Sequence, residues 1–554
     1  MSPIDNTEKR FEQDIESFFV SKKGGYEKGD MSTFDKKKAI DMAKLISFIS
    51  STQPKEWARY QRVYLDKAEE MLYKRLQESI SQFGLIYTLR HGIDDRGIKL
   101  QIVYFMPGSA LNQDLIDKYH KNIMTCTRQF AYSSENHNTI DIVLSVNGIP
   151  VVGLDLKNQL KHQTYENAEL QWKNDRDPRE LIFNFNQRML VYFAVDTYYV
   201  TMATKLDGNK TFFLPFNQGS NGAGNVGGAG NPVNEEGYCT SYLWERVLQK
   251  DMLLNILQKY ISLQVDEKIE IKNNKRVKKT SKKIIFPRYH QLDVVEKLID
   301  DVYKNGSGKN YLIQHSAGSG KSNSIAWLTY RLASLHNKND ENVFNSVIVV
   351  TDRRVLDKQL QGTISGFDHK LGLVETIDDK KTSKDLRDAI NDGKKIIITT
   401  LQKFPVIYQE VDNTKGRKFA VIVDEAHSSQ TGNSAKKLKS ALADKTGARD
   451  EYREIYGEDI DADETDSEDV LNNEILSHGQ HKNLSFFGFT ATPKAKTLEI
   501  FGVKQPNGTF RPFHIYSMRQ AIDEGFILDV LKNYTTMQNC FKIAKSTSDN
   551  PEYK

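Results

Sequence analysis

Hydrophobic and polar positions follow two different patterns along this chain. From Phe11 to about Asp207, segments with apolar residues three and four positions apart alternate with short apolar runs that favour β-strands. From Phe286 onward, each short apolar strand is followed by an amphipathic helix. That order is typical of a parallel sheet with helices on both faces. We therefore expect an α/β protein, and a length of 554 residues favours two or three domains.

The predicted elements have definite places in the sequence. The first region predicts helices at 11–20 and 66–80, strands at 99–105, 139–146, 149–156 and 197–204, and a closing helical segment at 242–264. The second region predicts strands at 309–315, 345–352, 395–401, 419–427 and 484–493, with helices at 322–336 and 353–362. We expect domain boundaries that give units of 1–265, 266–285, 286–510 and 511–554.

A glycine-rich segment at 216–234 contains the letters of a dinucleotide-binding fingerprint at Gly222, Gly224 and Gly227. The fingerprint binds a dinucleotide only where its first glycine follows a strand and its last opens a helix. Here more glycine, asparagine and proline follow instead. We therefore predict a flexible surface loop.

Two segments are strongly charged. Residues 272–283 are rich in lysine and arginine and lack an apolar face, which favours a solvated linker that could touch DNA phosphate. Residues 458–469 hold eight acidic residues and no basic one. We interpret them as a solvated insertion loop, and an acidic arm that mimics DNA is the alternative.

The composition is that of an ordinary folded protein. The 77 Lys and Arg nearly balance the 73 Asp and Glu, and the net charge of +4 implies no partner by itself. Cys126, Cys239 and Cys540 are too scattered for a disulfide framework or a zinc site, which favours a reducing compartment. No apolar run approaches the roughly 18 residues of a membrane span. We expect a cytoplasmic protein without a membrane partner.

The segment HSAGSGKS, residues 315–322, ends a predicted strand and begins a predicted helix. Backbone N–H groups and the positive end of the helix dipole would both point at a phosphate bound there. This is a relaxed form of the Walker A motif, because His315 stands where the strict pattern has glycine. The lysine would reach the β and γ oxygens of ATP, and the last serine would ligate Mg²⁺. The candidate nucleotide-binding residues are Gly318, Ser319, Gly320, Lys321 and Ser322.

About a hundred residues later, the apolar strand FAVIVDEAH ends in Asp424 and Glu425. A carboxylate at the tip of a neighbouring strand would complete the Mg²⁺–ATP site, and the adjacent Glu425 could polarise the attacking water. A glycine turn and an unrelated acidic strand end are the alternative.

These motifs resemble those of superfamily 2 helicases, with Asp424 to His427 as the DEAH form of motif II. FTATP around Thr490 resembles motif III, and FPRYHQ resembles the Q motif with Gln291 as the reader of adenine. Segments at 349–359 and 398–404 resemble motifs Ia and Ib, which contact DNA phosphates in that family. Helicases of this family need a second RecA-like lobe, and the stretch after Arg511 is too short for one. We therefore expect part of a longer protein that binds ATP but hydrolyses it slowly.

The predicted hairpin at 139–156 carries unexpected charge. Residues two apart in a strand point the same way, so Asp155 and Lys157 would share a face about 7 Å apart. Asp141 in the preceding strand could lie across from them through the Asn147-Gly148 turn. The two carboxylates would repel each other unless a cation such as Mg²⁺ neutralised them. Asp141, Asp155 and Lys157 are therefore candidate catalytic residues, the two acids also as metal ligands.

This arrangement resembles the PD-D/ExK nuclease motif, and a hairpin with a solvent-facing Asp–Lys pair is the alternative. Two departures limit the resemblance. The family often has Glu at the position of Asp155, and its downstream Gln-xxx-Tyr element is represented only by Gln171, with Asp175 at the tyrosine position. Glu12 could join the site from the first helix. Plain helical or surface roles for Glu12 and Gln171 are the alternatives.

The whole chain resembles the N-terminal part of the R (restriction) subunit of type I restriction-modification enzymes, on long stretches such as HSAGSGKSNSIAWL and GFTATPKAKTLEIFG. The resemblance implies a PD-D/ExK-like α/β domain followed by a RecA-like P-loop domain. It further implies ATP-driven translocation of double-stranded DNA, cleavage of unmodified DNA away from the recognition site, and partnership with modification and specificity subunits. One rival function is a repair or remodelling ATPase with a degenerate nuclease module. The other is a non-enzymatic scaffold.

Overall fold

The computed structural model describes residues 8–109, 111–159, 162–272, 275–351, 373–377, 381–400, 407, 416–424 and 482–529. Several predicted features lie outside these residues, namely Glu425 and the rest of the DEAH motif, the acidic segment 458–469, the helix at 353–362 and Cys540. Within the described part of the chain, no helix combines the length and the apolar composition of a membrane span.

The described elements form two large sheets with flanking helices. The helices are α1 (Glu8–Val20), α2 (Met42–Thr52), α3 (Pro54–Tyr64), α4 (Ala68–Phe83), α5 (Leu85–His91), α6 (Gln113–His120), α7 (Tyr165–Asn174), α8 (Lys250–Lys259), α9 (Tyr289–Asn305), α10 (Lys321–Ala333), α11 (Ser383–Asn391), α12 (Ala495–Phe501) and α13 (Met518–Asp523), with a 3-10 turn at Leu65–Lys67 and a π-turn at Leu243–Val247. The strands of the first region are β1 (Glu27–Lys28), β2 (Ile93–Asp95), β3 (Ile98–Leu100), β4 (Met124–Ala131), β5 (Thr139–Val146), β6 (Ile149–Leu156), β7 (Val191–Val195), β8 (Val200–Ala203) and β9 (Leu214–Pro215). The later strands are β10 (Ser262–Lys272), β11 (Lys275–Ile285), β12 (Tyr311–His315), β13 (Ser346–Thr351), β14 (Val374–Thr376), β15 (Ile396–Thr400), β16 (Phe419–Asp424), β17 (Leu484–Thr490), β18 (Val503–Lys504), β19 (Phe510–Arg511) and β20 (His514–Tyr516).

The first sheet is mixed, with strand order β1-β4-β5-β6-β7-β8-β9. Strands β5 and β6 form the predicted antiparallel hairpin. Asn147 and Gly148 connect them with positive φ angles of 49° and 83°, which suit a two-residue hairpin turn. Strand β7, an apolar run that the sequence analysis missed, pairs parallel to β6 and buries that strand in the middle of the sheet.

The predicted strand at 99–105 is mostly wrong. Regular pairing ends at Leu100, and the backbone beyond it is bonded by side-chain amides instead of a neighbouring strand. Gln53 bonds both the N–H and the C=O of Gln101, and Asn147 donates to the carbonyl of Ile102. An extended apolar run therefore stays outside the sheet because amide side chains satisfy its polar groups.

The predicted linker at 266–285 and the helical segment before it also differ from expectation. Strands β10 and β11 form a two-stranded antiparallel ribbon along this segment. The segment 242–264 is not one helix, because the π-turn is followed by a break at Gln249, whose side chain caps α8 by accepting from Asp251 and Met252 N–H groups. Charge alone predicted solvent exposure but could not show that the two strands pair.

The second sheet has the order β14-β15-β13-β16-β17-β12-β20, and all its pairings are parallel. Alternate residues of its strands enter two separate apolar clusters. One cluster contains residues of α9 and α10, and the other contains residues of α11 and α12. The predicted α/β architecture, with helices on both faces of a parallel sheet, is therefore confirmed.

The glycine-rich segment 216–234 is a loop without a dinucleotide fold, as predicted, but it is packed and hydrogen-bonded. The Gly219 N–H bonds the Gly230 carbonyl at 2.7 Å, closing the loop on itself. The loop also contacts the second sheet, because the Ile515 N–H donates to the Gly224 carbonyl at 3.1 Å and the Ser517 hydroxyl to the Gly227 carbonyl at 2.6 Å. The glycines allow close approach between the two halves of the chain.

Candidate functional site

The β5–β6 hairpin places Asp141 directly across from Asp155. Ile142 pairs with Leu154, so the next residue on each strand lies opposite the other. Asp155 is completely buried, and Asp141 and Lys157 are only 6% and 8% exposed. The alternative of a solvent-facing Asp–Lys pair is therefore wrong, because these side chains are buried. Burying their charges costs much more free energy than a pair on the surface would.

Asp141 and Lys157 each have defined partners. Asp141 accepts a 2.6 Å hydrogen bond from the Leu156 N–H through Oδ2, and one of 3.3 Å from Gln129 through Oδ1. Lys157 donates to the Leu156 carbonyl at 3.0 Å and lies 3.4 Å from Glu8. Its ammonium group therefore stays at the end of β6, close to the acids.

Arg176 is a site residue that the sequence analysis missed. Its guanidinium Nη2 lies 3.2 Å from both carboxylate oxygens of Asp155 and donates to the Thr139 carbonyl at 2.7 Å. The side chain is 1% exposed. Asp175, at the position of the family's tyrosine, is exposed and ends α7. Arg176 directly follows Asp175 in the sequence. A search for charged side chains next to the expected tyrosine position would therefore have found it.

Helix α1 brings further carboxylates to the hairpin. Glu8 and Glu12 are one turn apart on one face of α1. Oxygen atoms of Glu8, Glu12 and Asp141 all lie within 4.8 Å of one another. Asp155 is outside this group and pairs with Arg176. The hypothesis that Glu12 lies at the site agrees with this arrangement, and Glu8 was missed. Gln171 is half-buried on α7, and its role stays a prediction.

Gln129 on β4 completes the wall of this acidic cluster. In the register of β4 with β5 it stands across from Asp141, outside the regular pairing, and it has a positive φ of 48°. The side-chain amide of Gln129 then donates to Glu12 at 3.0 Å as well as to Asp141. Arg128, the preceding residue, bonds Glu12 at 3.3 Å and Glu16 at 3.2 Å. The acids of α1 are thus held in place from the sheet.

The electrostatics of the cluster favour a bound cation. Burial, reinforced by the charge of Asp155, raises the pKa of Asp141 to about 7. Burial also raises the pKa of Asp155, although Arg176 and Lys157 act in the opposite direction. The carboxylates are therefore short of positive charge. Mg²⁺ prefers oxygen ligands, and carboxylates supply both the oxygens and the negative charge. The residues present therefore fit the predicted metal.

The second candidate site lies at the carboxyl end of β12. Gly318 and Gly320 have φ angles of 72° and 75°, and Gly320 precedes the first residue of α10. A Cβ atom on Gly320 would lie 2.4 Å from Nε2 of Gln291, so the contact also requires glycine. Lys321 donates to the carbonyl of His315 at 3.3 Å across this turn. Ser319 is buried in the turn, and Ser322 lies in the first turn of α10.

The predicted Q motif supports the carbonyl side of this loop. Gln291 donates to the carbonyls of Ser319 and Gly320, each at 3.0 Å. Arg288 donates to the Gly318 carbonyl at 2.9 Å, and His290 bonds the Ser319 carbonyl at 2.9 Å. Gln291 therefore contacts the phosphate loop itself, and its predicted role as the reader of adenine stays a prediction. Arg288 and His290 are loop-supporting residues that the sequence analysis did not assign.

Asp424 ends β16 and is 6% exposed. The expectation that its strand lies next to the P-loop strand is wrong, because β17 pairs with both β12 and β16 and separates them. In register, Gln314 lies beside Thr490, and Asp424 lies beside Phe489. The strand that carries the predicted motif III therefore stands between the predicted P-loop and Asp424.

Two family models match this chain, one in each half. Residues 49–208 match the N terminus of the type I restriction enzyme R protein. Residues 290–447 match the SWI2/SNF2 ATPase family. The first match contains Asp141, Asp155 and Lys157, and the second contains the P-loop and Asp424.

Curated relatives match across both halves. The endonuclease subunit of the type I restriction enzyme HindI from Haemophilus influenzae is 26% identical over 410 residues, which cover 71% of this chain and 32% of that protein. The putative type I restriction enzyme MjaVIIIP endonuclease subunit from Methanocaldococcus jannaschii is 22% identical over 416 residues, which cover 69% of this chain and 36% of that protein. The chain spans about a third of the length of these relatives.

Solved structures align more weakly. A fragment of a putative HsdR subunit of a type I restriction enzyme from Vibrio vulnificus YJ016 covers 76% of this chain and 62% of that chain, at 13% identity and a TM-score of 0.27. This score is too low to establish a shared fold. On the sequence comparisons, the chain is similar in both halves to the R subunit of type I restriction enzymes, and the resemblance predicted from its motifs is confirmed.

Proposed function

We propose that this chain is the nuclease and first motor part of a type I restriction R subunit, which moves double-stranded DNA with ATP and cuts unmodified DNA away from the recognition site. The observation that carries the proposal is the cluster of half-buried Glu8 with buried Glu12 and Asp141 beside Lys157. Such a cluster is costly to fold without a charged ligand, and it occurs in a chain that also contains a phosphate-binding loop.

In the N-terminal site, Glu8, Glu12, Asp141 and Asp155 would hold Mg²⁺. When bound, the cation supplies positive charge to the oxygens of a phosphodiester. Lys157, held by the Leu156 carbonyl, adds a second positive charge next to the scissile phosphate and orients the attacking water. Arg176 opposes the burial-induced rise in the pKa of Asp155 and bonds both of its oxygens, so that this carboxylate stays in place.

In the second site, the N–H groups of Gly318 to Ser322 and the Lys321 ammonium bind the phosphates of ATP. Ser322 and Asp424 are the proposed Mg²⁺ ligands, and Glu425, which lies outside the described residues, would orient the attacking water. Gln291 is the proposed contact to adenine. Arg288 and His290 hold the carbonyls of the loop away from the phosphates.

The proposed partners are double-stranded DNA and the modification and specificity subunits of a type I complex. The relatives are named as endonuclease subunits of type I restriction enzymes, and we extend that assembly to this chain. Its DNA contacts should then be mainly to phosphates, because sequence recognition would belong to the specificity subunit.

The test is Lys157→Ala in the assembled enzyme. Loss of the ammonium should reduce cleavage of unmodified DNA at least about a hundredfold, as for other removed transition-state charges. ATP hydrolysis should stay at the wild-type rate, because Lys157 belongs to the N-terminal site, where it contacts Leu156 and Glu8. Lys205→Ala, an exposed lysine of the same unit, is the matched control and should change neither activity.

A repair or remodelling ATPase with a degenerate nuclease module is the second candidate. It is favoured by the Arg176–Asp155 ion pair, which already compensates one of the predicted metal ligands. Unchanged cleavage by the Lys157→Ala enzyme would support this candidate and contradict the nuclease proposal.

A further inference from the structure

His315 stands where the strict phosphate-loop motif has glycine, and its side chain points away from the loop. Its Nε2 atom lies 2.9 Å from Nδ1 of His514 on the neighbouring strand β20. Both imidazoles are completely buried. Nδ1 of His315 has no hydrogen-bond partner among the described residues, so the histidine pair ends there.

The pair continues to a buried carboxylate on α9. His514 Nε2 lies 2.9 Å from Oδ2 of Asp293. Lys297, one turn later on α9, lies 2.7 Å from the same carboxylate. Arg246 on the π-turn Leu243–Val247 donates to Oδ1 of Asp293 at 2.6 Å. Since that turn belongs to the N-terminal unit, a continuous chain of side chains runs from this unit to the first residue of the phosphate loop.

The carboxylate determines where the protons lie. Burial alone would raise the pKa of Asp293, but His514, Arg246 and Lys297 hold it well below its usual range. An ionised Asp293 can only accept, so His514 donates through Nε2 and accepts through Nδ1. His315 must then donate through its own Nε2. Both imidazoles are thus fixed as neutral Nε2–H tautomers.

The glycine-rich loop covers the same histidine from the N-terminal side. Gly224 has a φ of 82°, and a Cβ atom placed on it would lie 2.9 Å from Cδ2 of His514. The Gly224 carbonyl also accepts from the N–H of Ile515, the residue after His514. The N-terminal unit therefore makes two contacts with this row of side chains. Arg246 contributes a positive charge beside Asp293, and Gly224 packs against His514 and excludes water from it.

At its other end, the chain fixes the backbone on which the phosphate-binding lysine rests. The His315 carbonyl accepts from Lys321 at 3.3 Å. The next residue, Ser316, donates its N–H to the Tyr516 carbonyl at 3.0 Å on β20. A shift of His514 would therefore move the first turn of the loop together with the resting position of Lys321.

We propose that Arg246, Asp293, His514 and His315 form a positioning chain through which the N-terminal unit sets the shape of the phosphate loop. The inference rests on the proposed nucleotide-binding function of that loop. It predicts that the loop reaches its full affinity for nucleotide only when Arg246 of the N-terminal unit contacts Asp293. None of the four side chains is a catalytic residue, because they act on the nucleotide through the backbone of His315.

The test combines a double-mutant cycle with a spectroscopic measurement on the full chain. Affinity for Mg²⁺–ADP is measured for Arg246→Ala, His315→Gln and the double variant. Each single change should weaken binding about three- to tenfold, and the double variant should bind no more weakly than the weaker single variant. Arg179→Ala, which removes an exposed arginine from the same unit, is the control and should bind like wild type.

Arg246→Lys should recover most of the lost affinity, since it keeps a charge near Asp293. Wild-type affinity in Arg246→Ala, or losses that multiply in the double variant, would overturn the proposal. Histidine-selective ¹⁵N NMR of the nucleotide-free chain tests the predicted tautomers independently of nucleotide binding. It should show Nε2–H tautomers at His315 and His514 that Arg246→Ala perturbs and Arg179→Ala does not. If the wild-type chain binds no nucleotide, the proposed function fails, and unperturbed tautomers in Arg246→Ala would by themselves overturn the positioning chain.

Discussion

The two candidate sites carry opposite imbalances of charge. The N-terminal cluster gathers the buried Glu12 and Asp141 and the half-buried Glu8, and burial raises the pKa of Asp141. The phosphate loop instead presents Lys321 at the start of α10, while Gln291 and its neighbours bind the carbonyls of the loop. The proposed ligands of the two sites therefore have opposite charges, a metal cation at the N-terminal cluster and the phosphates of ATP at the loop.

The comparison also shows two ways of tolerating buried charge. Asp155 has an internal counterion in Arg176, whereas Asp141 has only hydrogen bonds and the more distant Lys157. On α9, which supplies Gln291 to the predicted P-loop, the charge of Asp293 is neutralised within the protein by Arg246 and Lys297. We infer that the N-terminal site depends on its ligand for stability more than the P-loop does.

The largest effect should come from Arg176→Met. This change leaves the Asp155 carboxylate buried without its counterion, which should destabilise the N-terminal unit by about 3–5 kcal/mol. Divalent cations should restore more stability to the variant than to the wild type, because a bound cation replaces the lost charge. Urea unfolding with EDTA and with Mg²⁺ measures both effects.

Arg179→Met is the matched control for Arg176, because Arg179 is exposed and pairs only locally with Asp177. It should change stability by less than about 0.5 kcal/mol. A loss for Arg176→Met that is no larger than this control would show that Asp155 does not depend on Arg176.

Lys321→Ala should weaken nucleotide binding by about 10- to 100-fold, the usual range for one hydrogen bond to a charged group. Titration with a fluorescent ATP analogue measures the loss. Lys304→Ala removes an exposed lysine from α9 and should leave the affinity unchanged. If Lys321→Ala and Lys304→Ala bind nucleotide with equal affinity, Lys321 does not contact the phosphates. That result would contradict the proposed ATP function.

Acid should destabilise the second unit through its buried histidines. Burial lowers the pKa values of His290, His315 and His514, so the folded protein keeps them neutral. Stability is then complete above the unfolded pKa of about 6.5 and is lost as the pH falls below it. Unfolding free energies measured between pH 7.5 and pH 5.5 should therefore fall as the pH falls.

His514→Gln tests this pH dependence. Unfolding at pH 7.5 and pH 5.5 should show a smaller loss of stability in the variant than in the wild type. The variants must be compared at each pH, because Asp141, whose pKa burial raises to about 7, stabilises the fold in the opposite direction as the pH falls. An identical pH dependence in the two proteins would contradict the neutral histidine chain.

The smallest effect should be that of Glu8→Gln on the affinity for Mn²⁺. Glu8 is half-buried at the start of α1, so its loss should weaken binding about tenfold or less. Glu69→Gln, an exposed acid of the same unit, is the control. Electron paramagnetic resonance of free Mn²⁺ measures both affinities. Equal values would remove Glu8 from the proposed metal site.

Much of the fold could be predicted from the sequence because its signals are local. The β5–β6 hairpin follows from alternating residues around Asn147-Gly148, and the parallel sheet follows from strands that alternate with helices. The glycine turn between β12 and α10 could be located because the predicted phosphate-binding pattern requires glycines and a lysine at fixed spacing where a strand meets a helix. In each case the determining residues are neighbours in the sequence.

Local pattern failed where distant segments satisfy the polar groups. The run at 99–105 has the composition of a strand, but Gln53 and Asn147 bond its backbone. The basic segment 272–283 lacks an apolar face, yet the ribbon forms because β10 is available to pair with it. Neither partner can be identified from the segment itself.

The sequence by itself determined which chemistries this protein could carry, namely a carboxylate and lysine hairpin and a phosphate-binding turn. Only the tertiary structure decided which charges meet: Asp155 with Arg176, Asp141 with the acids of α1, and Arg246 with Asp293 across the two units. The physical reason is that electrostatic interactions depend on distance and burial in space, and the chain brings these residues together only when both sheets are formed.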